Sequence, residues 1–213
     1  MQIFASCIGV KYNALTDDQC QRLVQLGSTL QETQAKVLNS REVLAGHKTS
    51  MKDTEMYSEV RKTKLLAYDH DPLVREVGFY VNQLVNDYLQ IIPVDINPQP
   101  NIQFAKYDTV GDKFDWHNDD SFDERTWDLK HQIEKNNHKW HYRKITAICQ
   151  ISDPNDYQGC DLEFKHHKHE DDNPYRERGT VLIFPSFMFH RVTPLISGTR
   201  YSLTYWYQGP IWR

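Results

Sequence analysis

Residues 179–206 read GTVLIFPSFMFHRVTPLISGTRYSLTYW and contain two apolar runs separated by turn-forming residues. His190 lies at the end of the first run, and Arg200 lies at the start of the second run. Pro194, Ser197 and Gly198 predict a turn between them. Two antiparallel strands joined in this way would bring an imidazole that can bind a metal and a guanidinium that can bind a carboxylate into one cavity.

The second run alternates along residues 200–207 as expected for a strand, because successive side chains of a strand point to opposite faces. We expect one face to line the cavity with Arg200, Ser202, Thr204 and Trp206. We expect the other face to lie beneath helices with Tyr201, Leu203, Tyr205 and Tyr207.

A second informative stretch is residues 104–120, FAKYDTVGDKFDWHNDD, in which His117 and Asp119 are separated by one residue. On a strand, positions i and i+2 face the same side, so both side chains could reach one metal ion. With His190 they form a triad of two imidazoles and one carboxylate, the ligand set that holds non-haem Fe(II) and leaves coordination positions open. The ordinary alternative is a buried, hydrogen-bonded histidine, since the chain has ten histidines.

The order of these residues resembles the 2-oxoglutarate and Fe(II)-dependent oxygenases, specifically their prolyl-4-hydroxylase-like branch and its bacterial PKHD-type hydroxylases. The resemblance covers about half of the chain, residues 101–208, and departs from the family where a Gly-Gly pair is often found. This chain has Gly159-Cys160 instead, and cysteine lacks the dihedral freedom of glycine, so we expect the local turn to differ. The residues that carry the resemblance are Tyr107, Gly111, His117, Asp119, Gly159, the run GTVLIFPS, His190 and Arg200.

The resemblance implies an enzyme in which the triad is catalytic and binds Fe(II), with 2-oxoglutarate and dioxygen as co-substrates and ascorbate as a candidate further cofactor. It implies that Arg200 binds the distal carboxylate of 2-oxoglutarate. Ser202, two positions on and facing the same side, could support that carboxylate. Tyr107 stands where the family often has a tyrosine that touches the co-substrate, and the alternative is a core tyrosine with a satisfied hydroxyl. The implied reaction couples decarboxylation of 2-oxoglutarate to succinate and CO2 with C–H hydroxylation. Asp119 argues against the related halogenases, which carry a small residue there.

The element pattern predicts a mainly β fold with flanking α-helices. We expect a strand over residues 3–10, a helix capped by Thr16 that ends at Gly27, and a second helix over residues 72–89. Residues 93–100 contain prolines that end this helix, and a strand follows over residues 102–107.

Together with the resemblance, this order predicts a double-stranded β-helix, or jelly-roll, of two facing antiparallel sheets. The catalytic core would span about residues 101–208, and a helical support region of about residues 1–100 would pack on the major sheet. With 213 residues, a single domain is the expectation.

Composition limits the partners that we expect. The net charge of −4 gives no electrostatic argument for nucleic acid or an acidic membrane surface. No apolar run is long enough to span a bilayer, and residues 1–18 lack the layout of a signal peptide. We therefore expect a soluble, cytoplasmic protein, and without a secretion signal we expect its four cysteines to be reduced thiols. The cysteines show no Cys-x-x-Cys spacing, so a zinc ribbon or thioredoxin-type motif is not indicated.

Three polar segments are left open. Residues 28–56 are either a loop or a region that orders against something else. Residues 120–142 follow the His-x-Asp pair and contain Trp127 and Trp140, which predicts either a lid over the cavity or a loop pinned by its tryptophans. Residues 165–172, KHHKHEDD, favour a solvated hairpin over a specific metal site.

The substrate is the least determined property. A prolyl or other peptidyl residue is the leading hypothesis, because a fold and a cofactor set do not name a substrate. The alternatives are a free amino acid or small metabolite as substrate, or a cupin-like metal-binding protein that does not use 2-oxoglutarate. Arg200 discriminates, since a protein without 2-oxoglutarate has no need of a buried carboxylate clamp.

Overall fold

The computed structural model describes residues 1–3, 7–35, 37–38, 55–56, 61–67, 71–120, 142–165 and 173–210. The hypotheses of a lid over residues 120–142 and of a solvated hairpin over residues 165–172 fall almost entirely outside these ranges. Most of the polar segment 28–56 also lies outside the described residues.

The described residues form two α-helices and short antiparallel strands. The helices are α1, Asp17–Thr29, and α2, Pro72–Leu89, and two 3-10 helices cover Pro154–Asp156 and Pro174–Arg176. The strands are β1 Gln2–Ile3, β2 Gly9–Lys11, β3 Glu32–Gln34, β4 Val37–Leu38, β5 Glu55–Met56, β6 Arg61–Lys62, β7 Lys64–Leu66, β8 Asn101–Tyr107, β9 Lys113–His117, β10 Tyr142–Gln150, β11 Tyr157–Gly159, β12 Leu162–Phe164, β13 Val181–Pro185, β14 His190–Val192, β15 Leu195–Gly198 and β16 Arg200–Gly209.

Helix α1 begins with the expected capping box. The Gln19 backbone N–H donates to Thr16 Oγ1 at 3.2 Å, and the Thr16 backbone N–H donates to Gln19 Oε1 at 3.0 Å. The helix continues two residues past its expected end at Gly27 and ends at Thr29. Gly27 serves packing instead, because a Cβ there would lie 2.9 Å from the ring of Tyr201.

Helix α2 has the predicted bounds. Asp71 caps it by accepting a hydrogen bond from the Leu73 backbone N–H at 2.8 Å, and Pro72 occupies the first turn, where no backbone donor is needed. Its buried stripe packs on the sheet, as the helical spacing of its apolar residues indicates.

Two antiparallel sheets organise the fold as a jelly-roll. The larger sheet has eight strands in the order β1-β2-β13-β10-β16-β8-β7-β3, and the smaller has four in the order β12-β14-β9-β6. Strands β11 and β15 form a separate pair, as do β4 and β5. The mainly β class with helices on the larger sheet is confirmed.

Side-chain alternation divides the apolar residues into two cores on the two faces of the large sheet. One core joins both helices to the outer face, which includes Tyr201, Leu203, Tyr205 and Tyr207 of β16. The other lies between the two sheets and includes Ala105, Ile148, Phe184, Phe164 and Val192. The predicted aromatic face beneath the helices is therefore present, and the opposite face of β16 is turned to the inter-sheet space.

The first hundred residues contribute more strands than expected. Residues 3–10 do not form one strand, because β1 and β2 pair with each other, with Ile3 opposite Gly9. Strands β7 and β3 extend the large sheet beyond β8, and β6 extends the small sheet beyond β9. The region expected to be a helical support thus also builds the edges of both sheets.

The strand connection between His190 and Arg200 differs from the expected pair of adjacent strands. The hydrophobic strand β13 ends at Pro185, and His190 begins β14 in the small sheet, whereas Arg200 begins β16 in the large sheet. The two residues reach one cavity from facing sheets, because a jelly-roll sends consecutive strands to alternate sheets.

None of the four cysteines forms a disulfide, and Cys20, Cys149 and Cys160 are buried. Burial raises the pKa of the Cys20 thiol to about 11 and that of Cys160 to about 11, so both are protonated thiols at neutral pH. Neither described helix is both long and apolar enough to cross a membrane.

Leu203→Ala tests the packing of helices on the outer face of β16. Leu203 is fully buried in that core, so its truncation is expected to lower the free energy of unfolding by about 2–5 kcal/mol. Ile196→Ala is the control, since Ile196 is 62% exposed and its truncation should cost under about 0.5 kcal/mol. Chemical denaturation measures both, and equal small losses would contradict this core assignment.

Candidate active site

One cavity between the two sheets contains all of the site residues named from the sequence. It is lined from the large sheet by β8, β10 and β16 and from the small sheet by β6, β9, β12 and β14. Its described lining residues are Arg61, Gln103, Ala105, Tyr107, Phe114, His117, Asp119, Ile148, Leu162, His190, Val192, Arg200, Ser202, Thr204 and Trp206.

The triad forms a compact cluster at this cavity. His117 on β9 pairs directly with His190 on β14, and the two ring centroids lie 4.2 Å apart. Asp119 Oδ1 lies 3.7 Å from His117 Nε2, and Asp119 Oδ2 lies 3.5 Å from His190 Nε2. The candidate ligand atoms all lie within 4.8 Å of one another, which is close enough for one ion to contact all three.

Asp119 is not on the strand as expected, because β9 ends at His117. Its position is fixed by a backbone contact, since the Asp119 N–H donates to the Ser186 carbonyl at 2.8 Å. The carboxylate is also held, because Thr146 Oγ1 donates to Asp119 Oδ2 at 2.9 Å and lies 2.9 Å from Ser186 Oγ. These contacts place the carboxylate beside both imidazoles although Asp119 lies beyond the end of the strand.

Both triad imidazoles have a fixed tautomer. His117 Nδ1 lies 2.7 Å from the Asp115 carbonyl, and His190 Nδ1 lies 2.9 Å from the Met188 carbonyl. A carbonyl only accepts, so each Nδ1 carries the proton and each Nε2 presents a lone pair toward Asp119. The donor set, two imidazole nitrogens and a carboxylate oxygen on one side of a cavity, fits Fe(II).

The electrostatics of the site favour a neutral His117 beside an ionised Asp119. Burial and the neighbouring His190 lower the pKa of His117 to about 4. Burial acts to raise the pKa of Asp119, but the two imidazoles and Arg143 lower it more, so its pKa lies below the ordinary value. These are the protonation states that metal binding requires, because a protonated imidazole has no lone pair to donate.

Arg200 is a buried cation at another part of the cavity. Its side chain is 1% exposed, Nη2 donates to Gln150 Oε1 at 2.9 Å, and Nη1 lies 3.5 Å from Ser202 Oγ. The guanidinium carbon lies 5.3 Å from the centre of the Tyr107 ring. No carboxylate of the described residues forms an ion pair with Arg200, and its buried Nε has no hydrogen-bond partner. A small dicarboxylate would satisfy this charge.

The Gly159-Cys160 pair keeps a left-handed turn near this cation. Gly159 has φ 75° and Cys160 has φ 52°. Glycine adopts such a φ freely, but a residue with a Cβ pays roughly 1–2 kcal/mol, so the departure from Gly-Gly adds strain at this turn. A Cβ on Gly159 would lie 2.1 Å from the Pro194 carbonyl, so glycine is required at that position.

Several residues of the site were not identified from the sequence. Thr146 and Gln150 could have been found, since they alternate along β10 with the apolar residues Ile145, Ala147 and Cys149 of the opposite face. Phe114 stacks on the His117 ring, with centroids 3.4 Å apart and planes 11° apart. Arg61 covers the Phe114 ring at 4.5 Å but comes from a polar segment with no clear signal.

Comparison with known protein families gives a match to the family described as the 2OG-Fe(II) oxygenase superfamily, over residues 102–208. The matched range contains every proposed metal and co-substrate residue and covers half of the chain. Comparison with curated proteins found no match.

Solved structures with a similar fold include three prolyl hydroxylases. A Pseudomonas putida prolyl-4-hydroxylase has a TM-score of 0.62 at 14% identity, covering 97% of this chain and 95% of its own. The 2OG complex of a viral collagen prolyl hydroxylase from Paramecium bursaria Chlorella virus-1 has a TM-score of 0.59 at 12% identity, covering 96% and 97%. A Trichoplax adhaerens prolyl hydroxylase bound to a hypoxia inducible factor peptide has a TM-score of 0.57 at 16% identity, covering 95% and 84%.

The protonation state of His117 is testable by NMR titration of the metal-free protein. We expect an Nδ1-protonated neutral ring at pH 7 and a pKa of about 4, because burial disfavours the imidazolium. The unfolded chain takes up this proton near pH 6.5, so the group lowers the stability of the fold as pH falls from about 6.5 toward 4. His117→Gln assigns the resonance, and a pKa of 6 or more would contradict the described burial.

Proposed function

The chain belongs to the 2OG-Fe(II) oxygenase superfamily, and we propose that it is a hydroxylase acting on a prolyl or other peptidyl residue. The observation that carries the proposal is the presence, in one cavity, of a His-Asp-His cluster and a buried arginine without a carboxylate partner among the described residues. The family uses Fe(II), 2-oxoglutarate and dioxygen, and the cluster and the arginine match the first two.

We assign the metal to His117 Nε2, His190 Nε2 and one oxygen of Asp119. When bound, Fe(II) supplies open coordination positions and the oxidising chemistry that C–H hydroxylation needs. The carbonyls of Asp115 and Met188 hold the imidazoles in the tautomer that can donate to a metal. Thr146 orients the carboxylate by its hydrogen bond, so the ligands are arranged before the metal arrives.

We assign the distal carboxylate of 2-oxoglutarate to Arg200. Gln150 and Ser202 support this role because they hold the guanidinium in place, and Ser202 offers a hydroxyl to the same carboxylate. Tyr107 covers the guanidinium and belongs to the wall that the co-substrate would touch. Arg200 is shielded from water, which strengthens an ion pair between its guanidinium and a carboxylate.

Prolyl hydroxylation is supported by the fold of the three similar structures, one of which holds a peptide. A free amino acid or small metabolite is the second candidate substrate, because Arg61 adds a cation to the cavity beyond Arg200. The family match disfavours a cupin-like protein that lacks 2-oxoglutarate. Use of ascorbate, a cytoplasmic location and the absence of a nucleic-acid partner stay predictions.

His190→Ala tests the metal assignment. Loss of one of three ligands is expected to abolish stoichiometric Fe(II) or Mn(II) binding, measured by calorimetry or by metal analysis after gel filtration. The two apolar cores remain, so circular dichroism should show an intact fold. Stoichiometric metal binding by the variant would show that the triad is misassigned.

Arg200→Ala and Arg200→Lys test the co-substrate assignment. Leaving a buried carboxylate unpaired costs roughly 2–5 kcal/mol, so Arg200→Ala should weaken 2-oxoglutarate binding at least about thirty-fold. Lysine should restore part of the affinity, because the charge is kept but the planar fork is lost. The measurement is titration of the Mn(II)-loaded protein with 2-oxoglutarate, and metal affinity should not change. Undiminished 2-oxoglutarate binding by Arg200→Ala would contradict the assignment of the distal carboxylate to Arg200.

The proposed activity is tested by incubating the protein with Fe(II), 2-oxoglutarate and proline-containing peptides. We expect succinate to form and one oxygen atom to be added to the peptide, as detected by mass spectrometry. The Arg200→Ala variant serves as the control for non-enzymatic decay. Succinate formation without peptide oxidation would support the oxygenase assignment and contradict the proposal that these peptides are substrates.

A further inference from the structure

A second guanidinium, that of Arg61, lines the same cavity as the triad and Arg200. Arg61 begins β6, the edge strand of the small sheet, where it lies directly opposite Phe114. Its guanidinium covers the Phe114 ring at 4.5 Å, and that ring is also stacked on His117. Arg61 is therefore held on the His117 side of the site.

The Phe114 ring can face both neighbours because of an irregularity in β9. His117 pairs with His190 and Phe114 pairs with Val192, so β9 has one residue more than β14 between these two pairs. The extra residue is a β-bulge, and it turns both Phe114 and His117 toward the cavity, whereas positions i and i+3 of a regular strand face opposite sides. The stack of Arg61, Phe114 and His117 depends on this bulge.

The charge of Arg61 lacks a partner in the described part of the chain. Its Nε is buried without a hydrogen-bond partner, and no described carboxylate forms an ion pair with it. Asp119 is the carboxylate among the described lining residues, and it is already engaged with Thr146 and assigned to the metal. Burial lowers the pKa of Arg61, but a guanidinium stays protonated in proteins, so the site keeps a poorly solvated cation.

A count of the charges in the cavity, with Fe(II) and 2-oxoglutarate bound, indicates which arginine would still lack an anion. The described lining residues carry two guanidiniums, Arg61 and Arg200, and one carboxylate, Asp119. The two positive charges of Fe(II) would be balanced by the two negative charges of 2-oxoglutarate. Among the described lining residues one positive charge then remains, and the residue without an assigned anion is Arg61.

We propose that Arg61 binds a carboxylate of the substrate and so selects an anionic substrate. This inference rests on the proposed function and narrows its substrate class. Stacking on Phe114 holds the guanidinium plane while its N–H edge stays available for a bidentate pair. The carboxylate could belong to an acidic side chain next to the target residue in a peptide, or to the α-carboxylate of a free amino acid, and the test separates these sources.

Binding of four probes to the protein loaded with Mn(II) and 2-oxoglutarate tests the proposal. Two probes are peptides that contain one proline and differ only in having Glu or Gln beside it, and the others are L-proline and L-prolinamide. Paramagnetic broadening of probe protons by Mn(II) reports binding near the metal and needs no turnover. We expect the carboxylate form of one pair to bind at least about thirty-fold more tightly than the matching carboxamide.

Two arginine variants and a matched control assign this preference to Arg61. Arg61→Gln should reduce the ratio of affinities for the carboxylate and carboxamide probes to about one, and Arg61→Lys should keep part of this ratio. The affinity for 2-oxoglutarate should be unchanged in both variants. Arg191→Gln is the control, because Arg191 also covers an aromatic ring, Trp116 at 4.7 Å, but is paired with Glu163 at 2.7 Å. The control should keep the full ratio.

The outcomes separate this inference from the proposed function. A preference for the Glu peptide alone identifies a side-chain carboxylate, and a preference for L-proline alone identifies an α-carboxylate. The inference is overturned if neither pair shows a preference in the parent, if the preference survives Arg61→Gln, or if Arg61→Gln weakens 2-oxoglutarate binding. Failure of the Mn(II)-loaded parent to bind 2-oxoglutarate would instead overturn the proposed function.

Discussion

The buried carboxylate of Asp119 is the constraint on which the site depends. A carboxylate removed from water must be stabilised by hydrogen bonds or by nearby positive charge, and Asp119 accepts a hydrogen bond from the Thr146 hydroxyl and lies near two imidazoles and Arg143. Each imidazole lies with Nδ1 at a backbone carbonyl and Nε2 toward Asp119, and burial disfavours a second proton on His117. A cation between the three side chains would complete this arrangement, which is what the proposed metal-binding triad requires.

The same principle applies at the other charges of the cavity. Arg200 and Arg61 are held in place by neutral groups, an amide and a hydroxyl for Arg200 and an aromatic ring for Arg61. Neutral groups fix the geometry of a guanidinium without neutralising it, which is the arrangement that the proposed binding of an anion by each arginine would need. The protein gives up stability at these positions, and the apolar cores on both faces of the large sheet offset that cost.

The sequence-based expectations were accurate for features set by local interactions and less accurate for features set by contacts between residues distant in the sequence. Helix α2 and the faces of β16 were predicted correctly, because local periodicity and capping determine them. The end of α1 was wrong by two residues, because a contact between Gly27 and Tyr201 overrides the local preference for a helix stop. Arg61 and Phe114 gave no usable signal, since their roles depend on a bulge and on an edge strand drawn from a polar segment.

The sequence by itself determined which chemical groups are present and on which face of a strand most of them lie. It identified two histidines, an aspartate and an arginine in an order that specifies one family, because alternation along a strand and residue chemistry are local properties. Only the tertiary structure decided that His190 and Arg200 come from facing sheets and that Asp119 is placed by Ser186 and Thr146 beyond the end of a strand. These arrangements join residues far apart in the chain, so they follow from how the sheets pack and not from any local pattern.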